Sequence, residues 1–521
     1  MKTSQIAKLG ELTPRQQPVE LLETSRLPGG SLRSRLTGLA CVLPLALVAL
    51  LASCANVPAE NAEAVLQRAN AAMGGTALKS IAFSGTGTGA TFGQAYLAGQ
   101  AWPKITYSSF SRVADYENIT FREDAARARA EPNGGGAVPL MGTGEQRTSG
   151  FLRGARAWNM VGPAPQAAPV AVDARTHDLW TTPHGVIKAA LANKSTATQR
   201  NESGRVMTAV SFTMPGQMKA TAWINEAGLV EKIDSVMPHP VSGDTVSSIK
   251  FSMYQDISGV KFPMRIEQTM GGFPVLDLTV TEVKPNSAGA VEVPALVMAF
   301  TENIVATKAA EGVWHLAGGS HNSVAIEMKD SVLVVESPLY DGRAMPMLAE
   351  AKKLAAGKPI AYVVNSHHHF DHAGGLRSAV AEGATVVTSE LARPFFETTL
   401  ANGNTVKPDA LQLSGKKAVV MGVNGKRSFT DGSRTVDVYY IEGSVHAEGF
   451  LMVHLPKEKI QIEADAYTPG APNSPPPAKP NDLHLNLVAN IERLKLGVEQ
   501  ILPLHGRIVP VAELYAAIGK K

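Results

Sequence analysis

The apolar run Ile360-Ala-Tyr-Val-Val364 leads almost at once into His367-His-His-Phe-Asp-His-Ala-Gly-Gly375. The run reads as a buried strand, and the Gly pair opens a helix-like segment from Leu376 to Ala381. Alternate residues of an extended chain share a face, so His367 and His369 are aimed the same way, with Asp371 and His372 one step further round. Four such side chains, spaced H-x-H-x-D-H at a strand end, demand a fold in which a sheet edge delivers them to one place. Imidazole and carboxylate at this density suit zinc or a similar divalent ion.

Three further residues stand in the same kind of context. His446 lies in Glu442-Gly-Ser-Val-His446, after the strand-like Val436-Asp-Val-Tyr-Tyr-Ile441. Asp465 ends Ile460-Gln-Ile-Glu-Ala-Asp465, and His505 closes Ile501-Leu-Pro-Leu-His-Gly506. In order and context these residues resemble the metallo-β-lactamase superfamily of hydrolases, over roughly residues 300 to 521. The resemblance implies an αββα sandwich, two sheets with helices on both outer faces. It implies that His367, His369 and His446 hold one metal, that Asp371, His372 and His505 hold a second, and that Asp465 bridges them. Two divalent ions are expected, zinc by default, with iron or manganese as alternatives for an all-nitrogen-and-oxygen donor set. Such a pair would hold a hydroxide, because coordination brings the pKa of water to about 7. Asp371 is the expected catalytic residue, ligating metal and orienting that hydroxide.

The remaining histidines weigh on the other side. Ten of the thirteen follow residue 300, and five of those ten occupy the matched positions. By alternation His368 points away from its neighbours, and His454 and His484 read as structural or exposed. His321, in an early loop, is a candidate substrate contact. Tyr467 is a candidate donor to a developing oxyanion, or else packs under the stiff loop Thr468 to Pro480, which is placed at the pocket rim. Glu336 stands where many relatives carry an Asp after their second strand; it keeps an acceptor but lengthens it.

At 521 residues the chain is expected to hold two domains. Residues 1–54 contain six Lys/Arg and three Glu, a net of +3 that equals the charge of the whole chain. The rest balances at zero, against the basic surface of a nucleic-acid enzyme. Arg33 and Arg35 precede an apolar stretch ending at Leu51-Ala-Ser-Cys54, which resembles the bacterial lipobox. The expectation is export to the periplasm as a lipid-anchored protein; an ordinary signal peptide cut near Ala55 and an uncleaved anchor are the alternatives. Both cysteines, Cys41 and Cys54, fall in this segment, so the folded part lacks disulfides, thiolate ligands and a cysteine nucleophile.

A short helix is expected from Ala59 to Met73, stopped by Gly74-Gly75. From residue 80 to about 283 the period becomes two, with Ile249, Phe251 and Met253 on one strand face and Leu276, Leu278 and Val280 on another. The fold class read here is α+β: a mostly antiparallel β domain over 55–299, then the hydrolase-like sandwich over 300–521. The β domain loosely resembles the open barrel of bacterial lipoprotein carriers. Within it Glu131-Pro-Asn-Gly-Gly-Gly136 reads as a flexible loop, and Lys284-Pro-Asn-Ser-Ala-Gly289 begins the linker. The expected function is two-metal hydrolysis of a small ester, thioester, lactone or related molecule in the cell envelope. The alternatives are a β-lactamase, or a lipid- or lipoprotein-binding envelope protein whose metal domain is not catalytic. Nothing suggests a nucleic-acid partner.

Overall fold

The period-two pattern of residues 80–285 is realised as an open sheet of thirteen strands, all antiparallel. The structure is a computed structural model and describes residues 61–130, 144–202 and 204–520. The leader with Cys41 and Cys54, the start of the helix expected at Ala59, and the loop Glu131–Gly136 lie outside the described residues. The first strand, Ser80–Ala90, pairs with the last, Phe273–Pro285. The chain therefore fans out on one side of this seam, crosses over through the helices Val172–Trp180 and Pro183–Leu191, and returns from the other edge. The helix Ala62–Ala72, ending before Gly74 as its sequence predicts, joins these two in covering one face. Leu66, Leu179, Val186 and Ile187 pack there with Ile81, Phe121, Ile233 and Phe262 in one apolar cluster. This continuous burial is the main stabilising term for the sheet.

After the short helix Ala295–Met298 the alternation of strands and helices begins. A seven-stranded sheet runs from Val305 to Val423 in sequence order, antiparallel through its first four strands and parallel thereafter. The helices Asp341–Leu354 and Leu376–Glu382 lie in the first two of its three parallel crossovers and bury its outer face through Met347, Leu348, Ala379 and Val380. A six-stranded sheet, Lys426–Pro510, follows. Val324, Leu333 and Val364 of the first sheet share one core with Val438, Leu451 and Ile462 of the second. The helix Asp482–Arg493 closes the far side with Leu487 and Ile491. This is the αββα sandwich, preceded by a large antiparallel sheet. Residues 57–521 form one compact unit, with the sheet and the sandwich tied together by Lys407 on Asp173 at 2.8 Å and by Asp244 accepting from Thr405 N at 2.9 Å. No helix among the described residues is long and apolar enough to cross a membrane.

One buried cation fixes the loop that carries His321. Arg343, on the helix Asp341–Leu354, is 1% exposed and donates to the carbonyls of Gly318 at 3.2 Å and His321 at 2.9 Å. Substituting Arg343→Met keeps bulk but strands these buried carbonyls, a loss of about 2–3 kcal/mol for charged hydrogen bonds. A lower urea midpoint with unchanged slope is the expected outcome, and an unaltered midpoint would contradict this role.

Candidate active site

Five residues separate the strand Ile360–Val364 from the four-residue helix Phe370–Ala373, and this segment carries His367 and His369. The chain then turns so tightly that a Cβ on Gly374 would lie 1.9 Å from the Leu339 carbonyl oxygen, so only glycine fits. The strand Ile460–Glu463 stops two residues short of Asp465, and Gln500–Pro503 stops two short of His505. Like His446, these residues sit in the loops where strands end rather than on the strands themselves.

Their donor atoms converge. His367 Nε2 lies 2.8 Å from His369 Nδ1 and 3.1 Å from His446 Nε2. On the other side His505 Nε2 is 3.2 Å from His372 Nε2. Asp465 stands between the two groups with one oxygen for each. Its Oδ2 is 2.7 Å from His446 Nε2, and its Oδ1 is 2.7 Å from His505 Nε2 and 3.2 Å from His372 Nε2. Ring nitrogens this close need a proton or a cation between them. The outer nitrogens show which atoms are left for a metal: His367 Nδ1 faces Ser366 Oγ at 2.8 Å, His369 Nε2 the Ala95 carbonyl at 2.9 Å, His372 Nδ1 Glu336 at 2.7 Å, and His505 Nδ1 the Ser320 carbonyl at 2.9 Å. Each outer N–H donates to oxygen, so the inner nitrogen is the one available to a metal, as metal-ligating histidines are held. Asp465 Oδ2 is buried, and although His446 Nε2 lies 2.7 Å away it receives no well-aligned hydrogen bond. These residues fit a pair of divalent ions.

Asp371 departs from the expected arrangement. Its carboxylate stands beside the second group, with Oδ2 3.8 Å from His372 Nε2 and 3.2 Å from His321 Nε2. The donors that do converge there are His321, His372 and His505, so His321 is closer to the metal chemistry than a loop histidine suggests. Glu336 uses its extra length: fully buried, it accepts from His372 and from the Ser366 hydroxyl, which in turn faces His367. One carboxylate thus orients a histidine of each group, and its φ of 60°, unusual for a non-glycine residue, marks the strain of placing it there. His368 joins none of the donor groups, but it does not turn away from its neighbour as alternation predicts: its Nε2 donates at 2.8 Å to the same Ala95 carbonyl that His369 uses. His454 is buried in a strand, and His484 packs its ring 4.9 Å from Tyr467. Tyr467 is itself buried, which raises its phenol to about 12. Gln94, far away in sequence, is the residue no motif announced. Its Nε2 donates to Asp371 Oδ1 at 2.8 Å.

Electrostatics separate the two groups. Burial first, and then the neighbouring His372, hold His367 well below the usual imidazole range; burial and His367 do the same to His369. His372 goes the other way. Burial opposes its charge, but Asp465, Glu336 and Asp371 outweigh it and hold the pKa well above 6.5. Burial opposes the charge of His505 as well, and Asp465 pushes it up in the same way. Ligation, which needs the free base, therefore displaces more proton from this second group than from His367 and His369. Calorimetric zinc titration of metal-free protein at pH 7, in buffers of different ionisation enthalpy, should show more proton release for an ion taken up by the His372–His505 group than for one taken up by the His367–His369 group. Equal release for the two groups would contradict this assignment.

Residues 316–466 match the family model for the metallo-beta-lactamase superfamily. This part of the chain is a domain of the metallo-β-lactamase superfamily. Members of the superfamily are metal-dependent hydrolases, which places the domain in that class of enzyme. The match spans His367 to Asp465 and ends before His505. Among solved structures, the metallo-β-lactamase from Pontibacter korlensis is similar at 18% identity over 42% of this chain and 98% of its own, with a TM-score of 0.33. FIM-1 from Pseudomonas aeruginosa in its mono-zinc form is similar at 16% identity over 42% and 93%, with a TM-score of 0.32. The enzyme from Hirschia baltica is similar at 16% over 41% and 95%, with a TM-score of 0.31. No curated protein matches the chain.

Proposed function

We propose that the chain is a two-metal hydrolase, with zinc as its working ion, acting on a small ester, thioester, lactone or related electrophile in the cell envelope. The observation that carries this reading is Asp465, buried, with one carboxylate oxygen turned to each histidine group at 2.7 Å. Two ions held there would supply a water activated near neutral pH and a Lewis acid for the scissile bond. The chain's own residues set the approach. His367, His369 and His372 are wholly buried, while Asp371 keeps 27% of its side chain exposed and His505 20%. Substrate therefore enters on the Asp371–His505 side. Asp371 is held ionised there: burial works against the charge, but His372 and His321 keep its pKa well below the usual carboxylate range. An ionised carboxylate at the open side can accept a hydrogen bond from a water and orient it, the catalytic role assigned to Asp371. Pro469 packs against Gly506, next to His505, which sets the proline-rich loop 468–480 at the same entrance as a selector of substrates. Export and lipid attachment at Cys54 would place the enzyme where envelope substrates pass.

The substitutions His369→Ala and Asp465→Ala each remove an inner donor while leaving both sheets intact. Both should lose bound metal and drop turnover by at least about 10³-fold, as for machinery that acts as a unit, against a chromogenic panel of esters, thioesters, lactones, phosphodiesters and β-lactams. Turnover retained by metal-free protein would sink the reading. Cleavage confined to penicillins or carbapenems would replace the ester substrate with a β-lactam. Co-purified lipid with no hydrolysis of any class would move attention to the thirteen-stranded sheet.

A further inference from the structure

The loop between the first two strands of the large sheet, residues 91–103, leaves that sheet and reaches the metal-site histidines of the sandwich. It is anchored along its length. Phe92 packs edge-on to Phe370 at 5.2 Å, and Trp102 lies 6.4 Å from the same ring. The Gly93 carbonyl accepts from Phe370 N at 3.2 Å, and the Tyr96 carbonyl accepts from Glu448 N at 2.8 Å. Tyr96 also donates its hydroxyl to Glu448 at 2.8 Å, two residues from His446. Gly93 has φ 78°, and a Cβ there would sit 2.4 Å from the Phe370 ring, so the approach requires glycine.

Between these anchors lie two contacts with the donors themselves. The Ala95 carbonyl accepts from His369 Nε2 at 2.9 Å, which turns Nδ1 inward. Gln94, 8% exposed, donates to Asp371 Oδ1 at 2.8 Å, and its Oε1 is buried with no partner. A buried amide with one half spent on a carboxylate and the other half open is costly unless the site needs it. Asp371 has His321 on its other oxygen, so Gln94 and His321 together fix the carboxylate's rotation.

We propose that the loop 91–103 is a constituent of the metal centre, in which the Ala95 carbonyl sets the inward face of His369 and Gln94 is the positioning residue for Asp371. The β domain then contributes to metal binding directly, and the sandwich does not hold its second ion at full strength without it. This rests on the two-metal reading, with Asp371 serving the second ion. Hydrogen bonds to ligands of this kind alter metal affinity by about 10–100-fold when removed.

The test uses the full chain. Gln94→Met keeps length and bulk but removes the donor, and Gln100→Met, on the same loop away from the donors, is the control. Each is titrated with Zn2+ after chelation, and again with Co2+, whose visible absorption reports the coordination of each site. Gln94→Met should weaken the second ion about 10–100-fold and change its Co2+ bands, leaving the first ion and the melting temperature near wild type. Gly93→Ala, which forces the loop off Phe370, should change the bands of both ions, because Gln94 and the Ala95 carbonyl move together. A Gln94→Met protein that binds both ions as wild type does, or loses both equally along with its melting temperature, overturns the proposal. Wild-type protein that binds no metal would sink the two-metal reading itself, a separate and distinguishable result.

Discussion

The site depends on holding five imidazoles so that the nitrogens available to a metal face inward. Left to themselves such nitrogens would repel or take up protons, and burial makes both costly. Four of the rings are fixed by giving the outer N–H an oxygen: Ser366, the carbonyls of Ala95 and Ser320, and Glu336. Glu336 matters most, because it reaches His372 directly and His367 through Ser366. Its position, just beyond the strand Val332–Val335 with a left-handed backbone, is the local strain that aligns both groups.

Much of this was legible in the sequence for a physical reason. A strand end followed by H-x-H-x-D-H fixes where His367 and His369 point, although His368 does not turn away as alternation predicts, since it shares the Ala95 carbonyl with His369. The seven expected donor positions do come together in space, although Asp371 lies beside the second group rather than inside it. His321 and Gln94 were not legible as parts of the centre. Both sit in irregular loops whose paths are set by distant contacts: Arg343 on the carbonyl of His321, and Phe370 against Gly93. Loop residues of this kind carry no periodicity to read. The αββα order and the antiparallel β region could be read because period two and alternating strand–helix patterns differ in kind. The seam between the first and last strands of the large sheet, with some two hundred residues between them, left no local trace.

The two parts of the chain also divide the labour of burial. The sandwich closes the site from below with its shared core, while the β domain lays aromatic residues and a polar loop along one side. What remains open is the side of Asp371 and His505, bordered by a loop whose prolines limit its conformations. A rigid rim beside a buried donor set favours a small substrate presented in one orientation over a large flexible one.

The most direct measurement is X-ray absorption at the zinc edge on protein loaded with two equivalents of Zn2+. The account predicts nitrogen and oxygen scatterers only, strong imidazole outer-shell features, and a metal–metal vector of about 3.5–4 Å from ions sharing Asp465. A single isolated ion, or a spectrum with no metal–metal vector at full loading, would contradict it.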